Sequence, residues 1–198
     1  METNMSKPKI AIIIGSTRDS RFADKPAQWI LEQAQARDDF DAELVDLKDF
    51  DLPLFNEVAS NAWVPSQDPA AIAWQKKIGE FDGYLFVTAE YNHSITGALK
   101  NALDQSSVEW ARKPMSAFGY GGLGAGRAVE HLRGIAVELQ MAPVRNAIHL
   151  GGGEFFKVHP LGGVNAPMSD VAPALDGAVK ATFDDLVWWA NALKAARG

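Results

Sequence analysis

Ile10-Ala11-Ile12-Ile13-Ile14-Gly15-Ser16-Thr17-Arg18-Asp19-Ser20-Arg21-Phe22 joins an unbroken apolar run to a loop crowded with hydrogen-bond donors. Such a run, with no polar alternation, suits a strand buried on both faces in the middle of a parallel sheet. From Phe22 onward the residues Phe22, Ala23, Pro26, Ala27, Ile30, Leu31 and Ala34 recur at helical spacing, so the loop connects a strand to a helix. Ligands of open α/β sheets bind at such carboxyl ends. Free N–H groups and the positive end of the helix dipole favour an anion there. Ser16, Thr17 and Ser20 add hydroxyl donors, and Arg18 and Arg21 add charged forks suited to phosphate. An ordinary capped helix start with two solvated arginines accounts for the same residues, so the rest of the chain must decide.

Downstream, the same arrangement recurs twice. Phe81 to Thr88 is a second central strand by its apolar run, and it leads into Ala89-Glu90-Tyr91-Asn92-His93-Ser94-Ile95-Thr96-Gly97 and a helix from Ala98. Met115 to Phe118 reads as a strand, Gly119-Tyr120-Gly121-Gly122-Leu123-Gly124-Ala125-Gly126 as a backbone-rich turn, and Arg127 to Gln140 as a helix. Ala42 to Leu47 has the polar residues of an edge strand, Ala70 to Glu80 can form a helix, and Pro143 to Leu150 supplies a fifth strand. Strands alternating with helices imply right-handed crossovers and a parallel sheet covered on both faces. The expected fold is therefore α/β: a three-layer sandwich around a five-stranded parallel sheet in the flavodoxin-like order 2-1-3-4-5.

Two segments lack periodicity. Residues 49–69 carry Pro53, Pro65 and Pro69, and residues 151–170 start with glycines and hold Phe155, Phe156, His159 and Pro160. Stretches of this length edge a pocket, form a lid or meet a neighbouring subunit. A last helix, roughly 175–196, places Val179, Phe183, Leu186, Ala190 and Leu193 on one stripe. Trp188 and Trp189 cannot both lie at its centre.

The totals narrow the classes. A chain of 198 residues, 47% hydrophobic and 22% charged, suits one domain over 1–198, with the polar residues 1–7 as a loose end lacking the apolar core of a secretion signal. With no cysteine, disulfides, thiolate metal sites and a cysteine nucleophile are removed together, which fits a reducing cytoplasm. A net charge of −6 without a basic stripe argues against nucleic acid as a partner. No apolar run approaches membrane-spanning length. There is no Walker loop, no nucleophile elbow and no H-E-x-x-H motif, and His93, His131, His149 and His159 have no metal-ligand spacing. Only His93 lies within one of the three loops.

Taken together, the loops describe a mononucleotide site. The first suits a phosphate, Asn92 and Ser94 of the second can edge a planar heterocycle, and the glycines of the third admit a flat ring close to the main chain beside Tyr120. Gly119 to Gly124 also fits G-x-G-x-x-G between a strand and a helix. That dinucleotide reading expects an acidic residue after the next strand, where glycines stand and Glu154 is the nearest candidate.

Gly15-Ser16-Thr17-Arg18, Glu90-Tyr91-Asn92-His93-Ser94 leading through Gly97 to Leu99-Lys100-Asn101-Ala102-Leu103-Asp104, and Tyr120-Gly121-Gly122 with Arg127-Ala128 resemble the motifs of the NAD(P)H-dependent FMN reductases. The resemblance spans about residues 10–150. It implies that Ser16, Thr17, Arg18 and Arg21 hold the FMN phosphate, with Phe22 beside it. It places Glu90, Tyr91, Asn92, His93 and Ser94 around the isoalloxazine, and Gly119, Tyr120, Gly121 and Gly122 along its pyrimidine edge. Ala89 stands where many members have proline, and Arg21 where some have a small hydroxyl residue. The implied activity is that of an oxidoreductase with noncovalent FMN, which takes hydride from NADPH or NADH and reduces a small acceptor such as a quinone. Homodimers or homotetramers are usual in the family. A flavodoxin-like electron carrier with little NAD(P)H turnover is the alternative.

Overall fold

The computed structural model describes residues 6–197. Strand β1 (Lys9–Ile14) lies between β2 (Asp41–Asp46) and β3 (Gly83–Ala89), parallel to both, and β4 (Pro114–Tyr120) pairs on the far side of β3. The strand order is β2-β1-β3-β4-β5, as expected. Alternation along β1 divides the core between the two faces. Ile10, Ile12 and Ile14 pack with Trp29, Ile30, Phe183 and Leu186 of helices α1 (Asp24–Gln35) and α6 (Ala172–Arg197). Ala11 and Ile13 pack with Trp74, Ile78, Leu99 and Leu132 of α2 (Pro69–Gly79), α3 (Gly97–Asp104) and α4 (Gly126–Glu138).

Helix starts follow local chemistry where the right residue is at hand. Asp68 caps α2 by accepting from Ala70 and Ala71 N–H at 2.8 and 3.0 Å, with Pro69 in the first turn. Thr96 caps α3 through Leu99 N–H, and its hydroxyl also donates to the Gly15 carbonyl, fastening the second loop to the first.

Two expectations are corrected. The fifth strand is not continuous: β5 (Ala142–Pro143) and β6 (Ile148–Leu150) pair separately with β4. The ladder to β4 runs as far as Val144, whose N–H donates to Met115 O at 2.9 Å, and beyond it side chains take over. Ser116 Oγ donates to Asn146 O at 2.6 Å, and Asp185 accepts from Asn146 Nδ2 at 2.8 Å. Residues 151–170 are not irregular throughout, since Gly152–Val158 forms α5, followed by tight turns at Pro160–Gly162 and Met168–Asp170. Of the expected loose end 1–7, residues 1–5 lie outside the described residues, and Ser6 and Lys7 are bonded to Lys194 Nζ through Oγ and the carbonyl. Trp188 and Trp189 are both exposed. Among the described residues, no helix is long and apolar enough to cross a membrane.

Candidate functional site

A cleft of about 520 Å³ opens at the carboxyl ends of β1, β3 and β4. Ser16, Arg18, Ser20, Arg21 and Phe22 of the β1–α1 loop line one side; Ala89, Glu90 and Tyr91 line a second, and Tyr120, Gly121 and Gly122 a third. The fourth side is Phe155 of α5 with His159, Pro160 and Leu161 of the turn that follows.

In the first loop, none of the backbone N–H groups of residues 16–20 has a backbone partner among the described residues. Ala23, at the N-cap of α1, offers no side-chain acceptor. A row of unpaired donors at the positive end of a helix is an anion cradle. The two arginines differ. Arg21 Nη1 donates to Ser16 O at 2.8 Å and to Asp46 Oδ1 at 2.7 Å, while Nη2 pairs with Asp46 Oδ2 and with Asp24 at 2.6 Å. Its side chain is 8% exposed, and the Asp46 bonds raise its pKa further. Burial works against the Asp46 charge, but the Arg21 fork and the Lys48 N–H outweigh it and the pKa falls. Arg21 thus braces the loop. Arg18 is exposed and makes a 3.0 Å bond to Tyr91 Oη at the mouth of the cleft. Thr17 turns to a smaller cavity of about 260 Å³ with Lys48 and Asn101.

In the second loop, Tyr91 and Ser94 exchange backbone bonds of 2.9 and 3.0 Å around Asn92 and His93, whose φ angles are 51° and 71°. This is the two-residue turn with both central residues left-handed, and asparagine suits it. It carries Asn92, His93 and Ser94 away from the cleft lining toward α4. There His93 Nε2 accepts from Arg127 Nη1 at 2.8 Å, and Ser94 Oγ meets His131 Nδ1 at 2.7 Å. Glu90 has a structural task. Ala125, at the N-cap of α4, has φ 56° and no capping side chain. Glu90 instead accepts from Arg127 N–H at 3.1 Å and Ala128 N–H at 3.4 Å, and it ion-pairs with the Arg127 guanidinium. Burial opposes the Glu90 charge, yet these bonds from Arg127 and Ala128 lower its pKa overall.

The third loop divides at the end of β4. Gly119 is an interior residue of the strand, where a Cβ would stand 2.6 Å from the Gly124 carbonyl oxygen. Its glycine serves close packing. Gly121 has φ 144°, and nothing lies within 4 Å of a Cβ on Gly121 or Gly122, so bare backbone faces open space. Tyr120 is 5% exposed, its ring meets Phe22 edge-on at 5.4 Å, and burial holds its phenol protonated. Phe155, His159, Pro160 and Leu161 join the site from outside the three sequence-predicted loops. Their signal was an unexplained pair of phenylalanines in a segment read as a lid or interface.

A phosphate-type cradle at one side of an apolar cleft, with exposed glycine backbone at another, on this sheet order, defines a flavodoxin-like mononucleotide-binding protein. Residues 8–154 match the model of the NADPH-dependent FMN reductase family, and the chain belongs to that family. It is an FMN-dependent NAD(P)H oxidoreductase. An NAD(P)H-dependent FMN reductase of Schizosaccharomyces pombe is 36% identical over 148 residues, 72% of this chain and 74% of that protein. A 2-hydroxy-1,4-benzoquinone reductase of Burkholderia is 34% identical over 140 residues, 67% of this chain and 72% of that protein. The solved structure of the flavoenzyme NAD(P)H:(acceptor) oxidoreductase FerB from Paracoccus denitrificans shares the fold, with a TM-score of 0.68 at 23% identity over 93% of this chain and 97% of that one.

Proposed function

We propose that the cleft holds FMN noncovalently and serves electron transfer from NADPH or NADH to a small, flat acceptor of the quinone class. The observation that carries this is the pairing of unpaired N–H groups at residues 16–20 with the open backbone of Gly121 and Gly122 in one cleft. Bound FMN supplies two-electron chemistry with nicotinamides and quinones. The Ser16 to Ser20 amides and Arg18 hold the phosphate, with Arg21 fixing the loop. Gly121 and Gly122 admit the ring to the main chain, and Phe22, Tyr120 and Phe155 exclude water. Thr17, Gly119 and the Asn92–His93–Ser94 turn shape these loops from outside the cleft. Donor and acceptor occupy the same space in turn, which gives ping-pong kinetics.

The quinone class is supported by the named activity of the Burkholderia relative. We also place the protein in the cytosol, which a cysteine-free composition suits. We take residues 1–198 as one domain that assembles as a homodimer or homotetramer. Leu54, Val58 and Trp63, exposed by 83, 95 and 85%, supply apolar surface for that contact.

The test is the visible spectrum of the protein purified without added cofactor, followed by anaerobic NADPH and then a benzoquinone. A flavin spectrum that bleaches and returns on repeated turnover is expected. A flavin that bleaches poorly and does not cycle would mean an electron carrier, and failure to bind added FMN would overturn the reading. A protein that runs as a monomer at micromolar concentration would remove the shared assembly.

A further inference from the structure

The family match ends at residue 154, yet one side of the cleft comes from beyond it. His159 stands there at the start of the Pro160–Gly162 turn, and its Nδ1 accepts the Leu161 N–H at 3.1 Å. A ring nitrogen that accepts carries no proton, so the neutral imidazole holds its proton on Nε2. The ring is wedged between Phe22, at 4.9 Å between centroids, and Phe155, at 4.7 Å. Burial, with Arg18 and Lys25 adding positive charge, lowers the pKa of His159 and so favours the neutral ring. Among the described residues its Nε2–H has no partner.

The position of this donor is set by the loop that holds the anion cradle. Phe22, under the imidazole, directly follows Arg21. Lys25, in the first turn of α1, donates to Val158 O at 2.7 Å and to Asn165 Oδ1 at 2.9 Å, tying α1 to the chain on both sides of the turn. Glu90, the one carboxylate lining the cleft among the described residues, is engaged by Arg127.

We infer that His159 is a further binding residue, whose Nε2–H donates to a phosphate monoester held in the cleft together with Arg18. This rests on the flavin reading of the cleft. Two monoesters belong to that chemistry, the 5′-phosphate of FMN and the 2′-phosphate of NADPH, and binding measurements separate them.

The experiment compares wild type with H159F, which keeps ring packing, and H159N, whose short amide still caps Leu161 but withdraws the donor. Dissociation constants are measured for FMN and riboflavin, and KM for NADPH and NADH. A lost hydrogen bond to a charged group predicts about a tenfold weaker FMN in both variants, with riboflavin unchanged. If the bound monoester is that of NADPH, FMN affinity stays and KM rises for NADPH but not NADH. Equal losses for FMN and riboflavin, or unchanged selectivity in both pairs, overturn the inference, because a merely structural role does not distinguish phosphate from its absence. A wild type that binds neither flavin sinks the reading beneath it instead.

Discussion

At the amino ends of β1 and β3 the polar groups close on one another. Asp82 accepts from Lys9 N–H at 3.0 Å, Lys194 Nζ at 2.9 Å and Arg197 Nη2 at 2.7 Å. Both cations lie in the last turn of α6, where they also suit the negative end of its dipole. Lys113, 8% exposed, donates to Tyr84 Oη at 3.0 Å and Gly79 O at 3.3 Å. At the carboxyl ends of β1 and β4, the amides of residues 16–20 have no backbone partner among the described residues and the backbone of Gly121 and Gly122 faces space. One sheet thus carries satisfied polar groups where it needs stability and unsatisfied donors where it binds. Changes at the first end should act on unfolding, and changes at the second on ligand affinity.

The largest effect expected is a pH dependence at the amino end. Burial, then Arg197, lowers the Lys113 pKa to about 8 from 10.5, against the pull of Asp82 and Glu109. Between those values the unfolded chain binds a proton that the folded chain does not, so stability from this group rises as pH increases through the window. The gain is up to about 3 kcal/mol. Denaturant unfolding at pH 7.5 and 10 should show this rise in wild type and a smaller one in Lys113→Met, with FMN affinity at pH 7.5 unchanged. A K113M protein that loses FMN would show that the two ends are not independent.

Within the cradle itself, the two arginines divide the same two roles. Arg21→Ala leaves Asp46, whose side chain is 21% exposed, without its partner and frees the Ser16 carbonyl. It should cost about 2–3 kcal/mol in unfolding and weaken FMN as well. Arg18→Ala removes an exposed side chain bonded only to Tyr91 and Ser20 among the described residues. It should weaken FMN about tenfold through the lost charged hydrogen bond and leave the unfolding midpoint in place. Calorimetry of the apoproteins and fluorescence titration with FMN measure both. Equal effects from the two substitutions would break the distinction between brace and binder.

These two arginines also show what a sequence can disclose. The strand, the loop and the following helix were legible from β-branched and helical periodicity, and their repetition carried the sheet order. Both arginines looked alike because Asp46, which removes one of them, lies in another strand, 25 residues away. The break between β5 and β6 was hidden for a similar reason, since Ser116 and Asp185 replace the ladder from distant segments. Three glycines at Gly151-Gly152-Gly153 disguised α5 as a loop, although Phe155 and Val158 pack inward from it. Local pattern fixes elements, and long-range pairing decides which polar side chains remain available.

Glu90 is the smallest and most exacting test, because it lines the binding end but is bonded like a residue of the other. Its lowered pKa means that its contribution is present above the ordinary carboxylate range and is lost as pH falls through the folded value. Glu90→Gln keeps an acceptor for the Arg127 and Ala128 amides while removing the charge, so it should cost about 0.5–1 kcal/mol at pH 7. The variant should lose less stability than wild type on acidification, as followed by thermal unfolding. Its NADPH-driven quinone turnover should stay within about twofold, since a cap that keeps its geometry leaves the cleft intact. If turnover instead falls far more than stability does, Glu90 acts on the bound ligand, and the cap is the lesser of its two roles.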